Sequence, residues 1–175
     1  MSRTLVIGYG NRDRQDDGVA WEVIDVLRHR AAQPSLAEDE TGLEQLGNLV
    51  DSIFLLQLAP DLLDVAAGYD QLIFVDAHLQ PDAADLYCTP VQPEYATATF
   101  THHMTPAMFL ALLQALHHCQ PAGFVVSIRG NRFDFERGLS AATRALVEPA
   151  VAQIQQLLTV AEESQAQTRS DGPPL

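Results

Sequence analysis

The chain contains no lysine: all ten basic residues among its 175 are arginines. That removes the Walker-type phosphate loop and Schiff-base catalysis, since both need a lysine amine. Cysteine is nearly as scarce. Cys88 and Cys119 make neither a metal-type spacing nor a disulfide framework, which favours a reducing compartment. No apolar run approaches the roughly 18 residues of a membrane span, and the N-terminus lacks a charged-then-apolar signal pattern. A cytoplasmic protein with no membrane partner is the expectation. Positive charge is in deficit: 23 acidic residues give a net charge of -13, with a pI near 4.6. Nucleic acid is therefore an unsuitable partner, because phosphate binding needs a basic patch. The G-x-S-x-G and H-E-x-x-H signatures are absent, and neither cysteine has a catalytic context.

What is present is a chain that can bury one good core, with 47% hydrophobic residues and a mean hydropathy of -0.01. Short apolar runs alternate with helical patterns. Thr4–Ile7, Ser52–Gln57, Gln71–Ala77 and Gly123–Arg129 read as strands, and Asp85–Thr89, bounded by prolines, as an edge strand. An apolar stripe through Val19, Val23, Ile24 and Leu27 reads as a helix ending near Arg30. Pro60 opens a short helix, and Thr105-Pro106 begins a nearly all-apolar one whose two sides should both be buried. Gly138-Leu139-Ser140 caps a final helix in which Pro149 marks a kink or interruption. The expectation is a three-layer α/β/α sandwich with a mainly parallel twisted sheet and an antiparallel edge strand. Residues 1–161 form its single domain and 162–175 a disordered tail.

Chemistry in such a sheet gathers at the carboxyl ends of the strands. The stretch TLVIGYGNRDRQDDG runs from strand through a Gly-permitted turn to the acid pair Asp16-Asp17. It is not a dinucleotide fingerprint, because Asp13 stands where the third glycine belongs and the nearby carboxylates would repel pyrophosphate. Either acid of the pair could simply cap the following helix. Asp76 closes a strongly apolar strand and needs a partner or a task. His102-His103 precede the apolar helix in a long loop, whereas His117-His118-Cys119 at its far end read as capping. Two carboxylates and one imidazole on separate loops make an oxygen and nitrogen set suited to Zn, Mn or Ni, with open positions for substrate or water.

Four blocks in order, GYGNRDRQDDGVA, LIFVDA, THHMTPAMFLALL and GLSAATRALVEPAV, resemble the nickel–iron hydrogenase maturation endopeptidases, from about residue 4 to 160. These enzymes trim the C-terminal extension of the hydrogenase large subunit. The resemblance implies metal-contacting and catalytic roles for Asp17, Asp76 and His103. Asp17 replaces a frequent Glu, with Asp16 beside it as the rival, and His103 fits the family's spacing better than His102. LLQLAPDLL departs from the D-G-G-T turn of many members and is similar to the Q-L-x-P-[DE]-L branch serving bidirectional, NAD-linked hydrogenases. Gln57 there stands in for part of the missing turn Asp. The resemblance further implies that nickel arrives already bound in the large-subunit precursor, so that no tightly held metal belongs to this protein, which is expected to be a monomer. Whether Asp17 or Asp76 is the general base stays open. A self-contained metallohydrolase, peptidase or amidase, and a non-enzymatic chaperone of a metalloprotein precursor are the competing readings.

Overall fold

The computed structural model describes residues 2–95 and 104–170, the stretch 162–170 as backbone only. Five strands form one sheet: β1 (Thr4–Tyr9), β2 (Val50–Leu55), β3 (Gln71–His78), β4 (Leu86–Val91) and β5 (Ala122–Arg129). Their order is β2-β1-β3-β5-β4. The first four in that order run parallel and β4 is antiparallel to β5, so the expected mixed sheet is what forms. Pro90 is tolerated in β4 because an edge strand can spare one ladder donor.

Alternation along each strand divides the core into two layers. Val6, Ile73, Val126 and Ile128 face α1 (Val19–Arg30) and α5 (Val147–Ser170), where they meet Val23, Ile24, Val151 and Ile154. Leu5, Ile7, Leu72 and Phe74 face the short α2 (Leu63–Ala66) and α3 (Pro106–His117). Phe74 and Phe109 meet edge to face there, with centroids 5.8 Å apart.

Two expectations, for α3 and for the helix that Ser140 caps, need correction. Burial of α3 is confined to its middle, at Phe109, Leu110, Ala111 and Leu113, while Gln114, Ala115 and Leu116 toward its C-terminal end are exposed. Leu116 shares a helical face with Phe109 and Leu113, so it is position along the axis, not composition, that leaves it open. Ser140 caps α4 (Ala141–Arg144), a separate single turn, by accepting from Thr143 N. The interruption expected at Pro149 is present: α4 ends at Arg144 and α5 begins at Val147, which sets Pro149 in the first turn of α5, where a backbone donor is not needed. The backbone of α5 is helical to Ser170. Among the described residues no helix is long and apolar enough to cross a membrane.

The connections fix where a site can form. From β1 the chain crosses over α1 to β2 on one side, then over α2 to β3 on the other. The direction of winding reverses between β1 and β3, and loops leaving a sheet at such a point diverge and open a crevice.

Candidate active site

The crevice between the exits of β1 and β3 is a cleft of about 400 Å³. Tyr9, Gly10, Asp17, Gln57, Asp76 and Met104 are among the residues lining it. Of the residues named from sequence, Asp17, Asp76 and Gln57 therefore converge. His102 and His103 lie outside the described residues, although Met104, which follows His103 in the chain, is in the wall. Among the described residues no three of His, Cys, Asp and Glu stand together as a metal site.

The two adjacent acids are separated by the backbone. Asn11 begins a 3₁₀ turn by accepting from Asp13 N at 2.9 Å. The chain then reverses at Gln15, whose φ of 48° lies in the left-handed region. Gln15 N donates to Glu136 O at 2.8 Å, which holds this strained residue in place. Beyond the reversal Asp16 turns inward and Asp17 turns toward the cleft.

Asp16 has 0% exposure. It accepts from the backbone N–H groups of Asn131 (2.8 Å), Arg132 (2.9 Å) and Ser140 (2.7 Å), and from Ser140 Oγ (2.7 Å). Thr143 Oγ1 stands 2.9 Å away. Burial pushes its carboxyl upward, but these donors outweigh burial and hold it below the usual carboxylate range. With its lone pairs occupied, Asp16 is an anchor between the loop after β1 and the loop after β5. Asp17 accepts one protein hydrogen bond among the described residues, from Asn11 N at 3.0 Å, and lines the cleft.

Gly10 makes this turn possible. Its φ is +145°, and a Cβ there would collide with the carbonyl oxygen of Asp17. Gly10→Ala is expected to cost about 2 kcal/mol and to shift Asp17. Urea unfolding should show the loss of stability.

Asp76 lies one register step beyond the paired Gly8 and Val75, which sets it beside Tyr9 on the neighbouring strand. Ser127 pairs with it from β5. Tyr9 OH donates to Oδ2 at 3.1 Å and Ser127 Oγ to Oδ1 at 2.7 Å. Burial drives the Asp76 carboxyl above its ordinary range, these two hydrogen bonds pull it partly back, and the charge of Asp17 adds to the rise. The Tyr9 phenol is pushed up in turn by burial and by Asp76. Two nearby carboxyls thus occupy unlike settings, one buried and biased toward its protonated form, the other open to the cleft.

Sequence reasoning missed Tyr9 and Ser127, which become partners of Asp76 only through strand register. It also passed over His78, two residues beyond Asp76 and so on the same face of β3. His78 is 7% exposed, tilts against Tyr87 with ring centroids 5.1 Å apart, and leaves both ring nitrogens without a hydrogen-bond partner among the described residues. The D-x-H spacing on a strand was the available signal.

No protein-family model matches the chain, and no curated protein matches it by sequence. Solved structures do. The hydrogenase maturating endopeptidase HybD from E. coli aligns with a TM-score of 0.65 and 22% identity, over 91% of this chain and 93% of its own. The [NiFe] hydrogenase maturation protease HybD from Thermococcus kodakarensis gives 0.63 and 16%, over 89% and 98%. The [NiFe] hydrogenase maturation protease HycI from T. kodakarensis KOD1 gives 0.63 and 16%, over 90% and 93%. At these identities the likeness is one of fold, and it extends over nearly the full length of both partners.

Proposed function

We propose that this protein is an endopeptidase that removes the C-terminal extension from the nickel-loaded large-subunit precursor of a nickel–iron hydrogenase. The observation that carries the reading is the convergence of Asp17 and Asp76 in the switch-point cleft of a fold shared with hydrogenase maturation endopeptidases. The four ordered sequence blocks support it independently. Nickel is part of the substrate in this scheme and arrives bound to the precursor, in the cytoplasm.

Asp17, with an oxygen open to the cleft, and His103 supply oxygen and nitrogen donors of the kind nickel accepts. Contact with them tells the enzyme that the precursor is loaded and fixes the peptide bond beside the metal. Asp76 handles the proton. Held between the Tyr9 and Ser127 hydroxyls, which favour its ionised form, and made more basic by burial, the Asp76 carboxylate takes a proton from the attacking water and, protonated by that step, delivers it to the departing amine. Gln57 in the same wall offers an amide to the bound chain.

Mass spectrometry of precursor incubated with the protein tests this. The expected result is one truncation product from nickel-loaded precursor and none from nickel-free precursor. Cleavage of both forms alike, by protein carrying a stoichiometric metal of its own, would replace this reading with the self-contained metallohydrolase. Tight binding without any cut would replace it with the chaperone.

A further inference from the structure

Three large apolar side chains are more exposed than any others among the described residues: Phe135 at 87%, Leu56 at 69% and Leu79 at 67%. All three lie at the same end of the molecule. Leu56 follows β2, Leu79 follows β3 and Phe135 belongs to the loop after β5, so each leaves the carboxyl edge of the parallel sheet, where the cleft opens. Leu56 is itself part of the cleft wall. Scattered single hydrophobes need no explanation, but gathering of the most exposed ones around one opening marks an interaction surface.

From this placement we infer that the carboxyl rim docks the folded body of the polypeptide whose tail enters the cleft, with Leu79 and Phe135 as apolar anchors outside the catalytic machinery. The inference rests on the proteolytic reading and deepens it by naming the partner surface. Whatever chain is delivered into the cleft must bring its parent domain against this rim, which makes the anchors continuous with the substrate path. Charge around the rim is mixed: Arg14, 5.7 Å over the Phe135 ring, and Arg132 stand beside the exposed Asp134 and Glu136, and the groove that shares Leu56 with the cleft carries Arg12 and Arg137 as well as Asp39 and Glu40. The complementary partner therefore presents an apolar patch around the root of its tail, set in charges of both signs. A lipid surface fits poorly, because a chain of net charge -13 is repelled by anionic headgroups, and the same charge opposes pairing of two copies.

The test compares wild type, the double variant Leu79→Ser/Phe135→Ser, and Leu116→Ser as an exposed control at the C-terminal end of α3. Each is titrated with full-length nickel-loaded precursor and with precursor lacking its extension, and cleavage is followed on the former. The inference expects wild type to bind the tailless precursor measurably. The double variant should lose that binding and show a KM on the full precursor about tenfold higher, with kcat and thermal unfolding unchanged. Leu116→Ser should match wild type. Cleavage with unchanged KM in the double variant would overturn the docking inference while leaving the protease reading intact. Binding of tailless precursor without any cleavage would do the reverse. A wild-type dimer that the double variant dissociates, seen by sedimentation, would assign the rim to self-association and overturn the inference.

Discussion

Asp16→Asn is expected to lose about 3 kcal/mol of stability, a fall in Tm of roughly 10 °C, whereas Asp17→Asn should keep wild-type stability and lose processing. The two residues are neighbours in the chain with opposite duties. Asn at position 16 would turn an amide NH₂ toward three backbone N–H groups and two hydroxyls arranged to meet an anion. At least one donor would then face another in a site closed to water. The sign of the pH dependence follows from the lowered carboxyl. Asp16 contributes its stability above about pH 4, the unfolded-state value, and the contribution is lost as pH falls through the depressed folded value. Thermal unfolding of wild type and Asp16→Asn should therefore differ widely at pH 7 and draw together below pH 4. Equal stability of the two at neutral pH would show that the network around Asp16 is not an anchor.

Asp76→Asn should reduce processing by about a thousandfold while leaving the protein at least as stable as wild type at pH 7. The Asn amide can keep contacts with Tyr9 and Ser127, since both hydroxyls can rotate to accept as well as donate. What disappears is a carboxyl that burial pushes upward. Its folded value is above its unfolded one, so the wild type gains most from this residue at low pH and loses that gain as pH rises through the folded value. Asn cannot ionise and escapes the loss. Unfolding midpoints of the two proteins should coincide near pH 4 and favour Asp76→Asn at pH 7. A variant that unfolds readily at neutral pH would recast Asp76 as structural.

These contrasts show what could be seen in the sequence and what could not. Strand and helix alternation, the antiparallel edge and the caps at Thr105 and Ser140 are local signals, and the structure repeats them. Asp76 was legible because a carboxylate within an apolar strand is costly wherever the strand lies. The division of labour between Asp16 and Asp17 was not, because it is decided by the reversal at Gln15 and by donors far along the chain. Tyr9, Ser127 and His78 were missed for a related reason. Register across β1, β3 and β5 sets which side chains meet, and register is not local information. The C-terminal end of α3 shows composition overruled by placement, since Leu116 is as apolar as Leu113 on the same helical face and is nevertheless exposed.

The bonds that fix Asp16 reach forward by 115 to 127 positions. A chain still emerging from the ribosome cannot make them, so its first loop lacks the Asp16 anchor until the last strand and the turn after it have been synthesised. The cleft is thus among the last features to be completed during biosynthesis. Fragments ending before residue 131 should carry Asp17 in a loop without the Asp16 anchor.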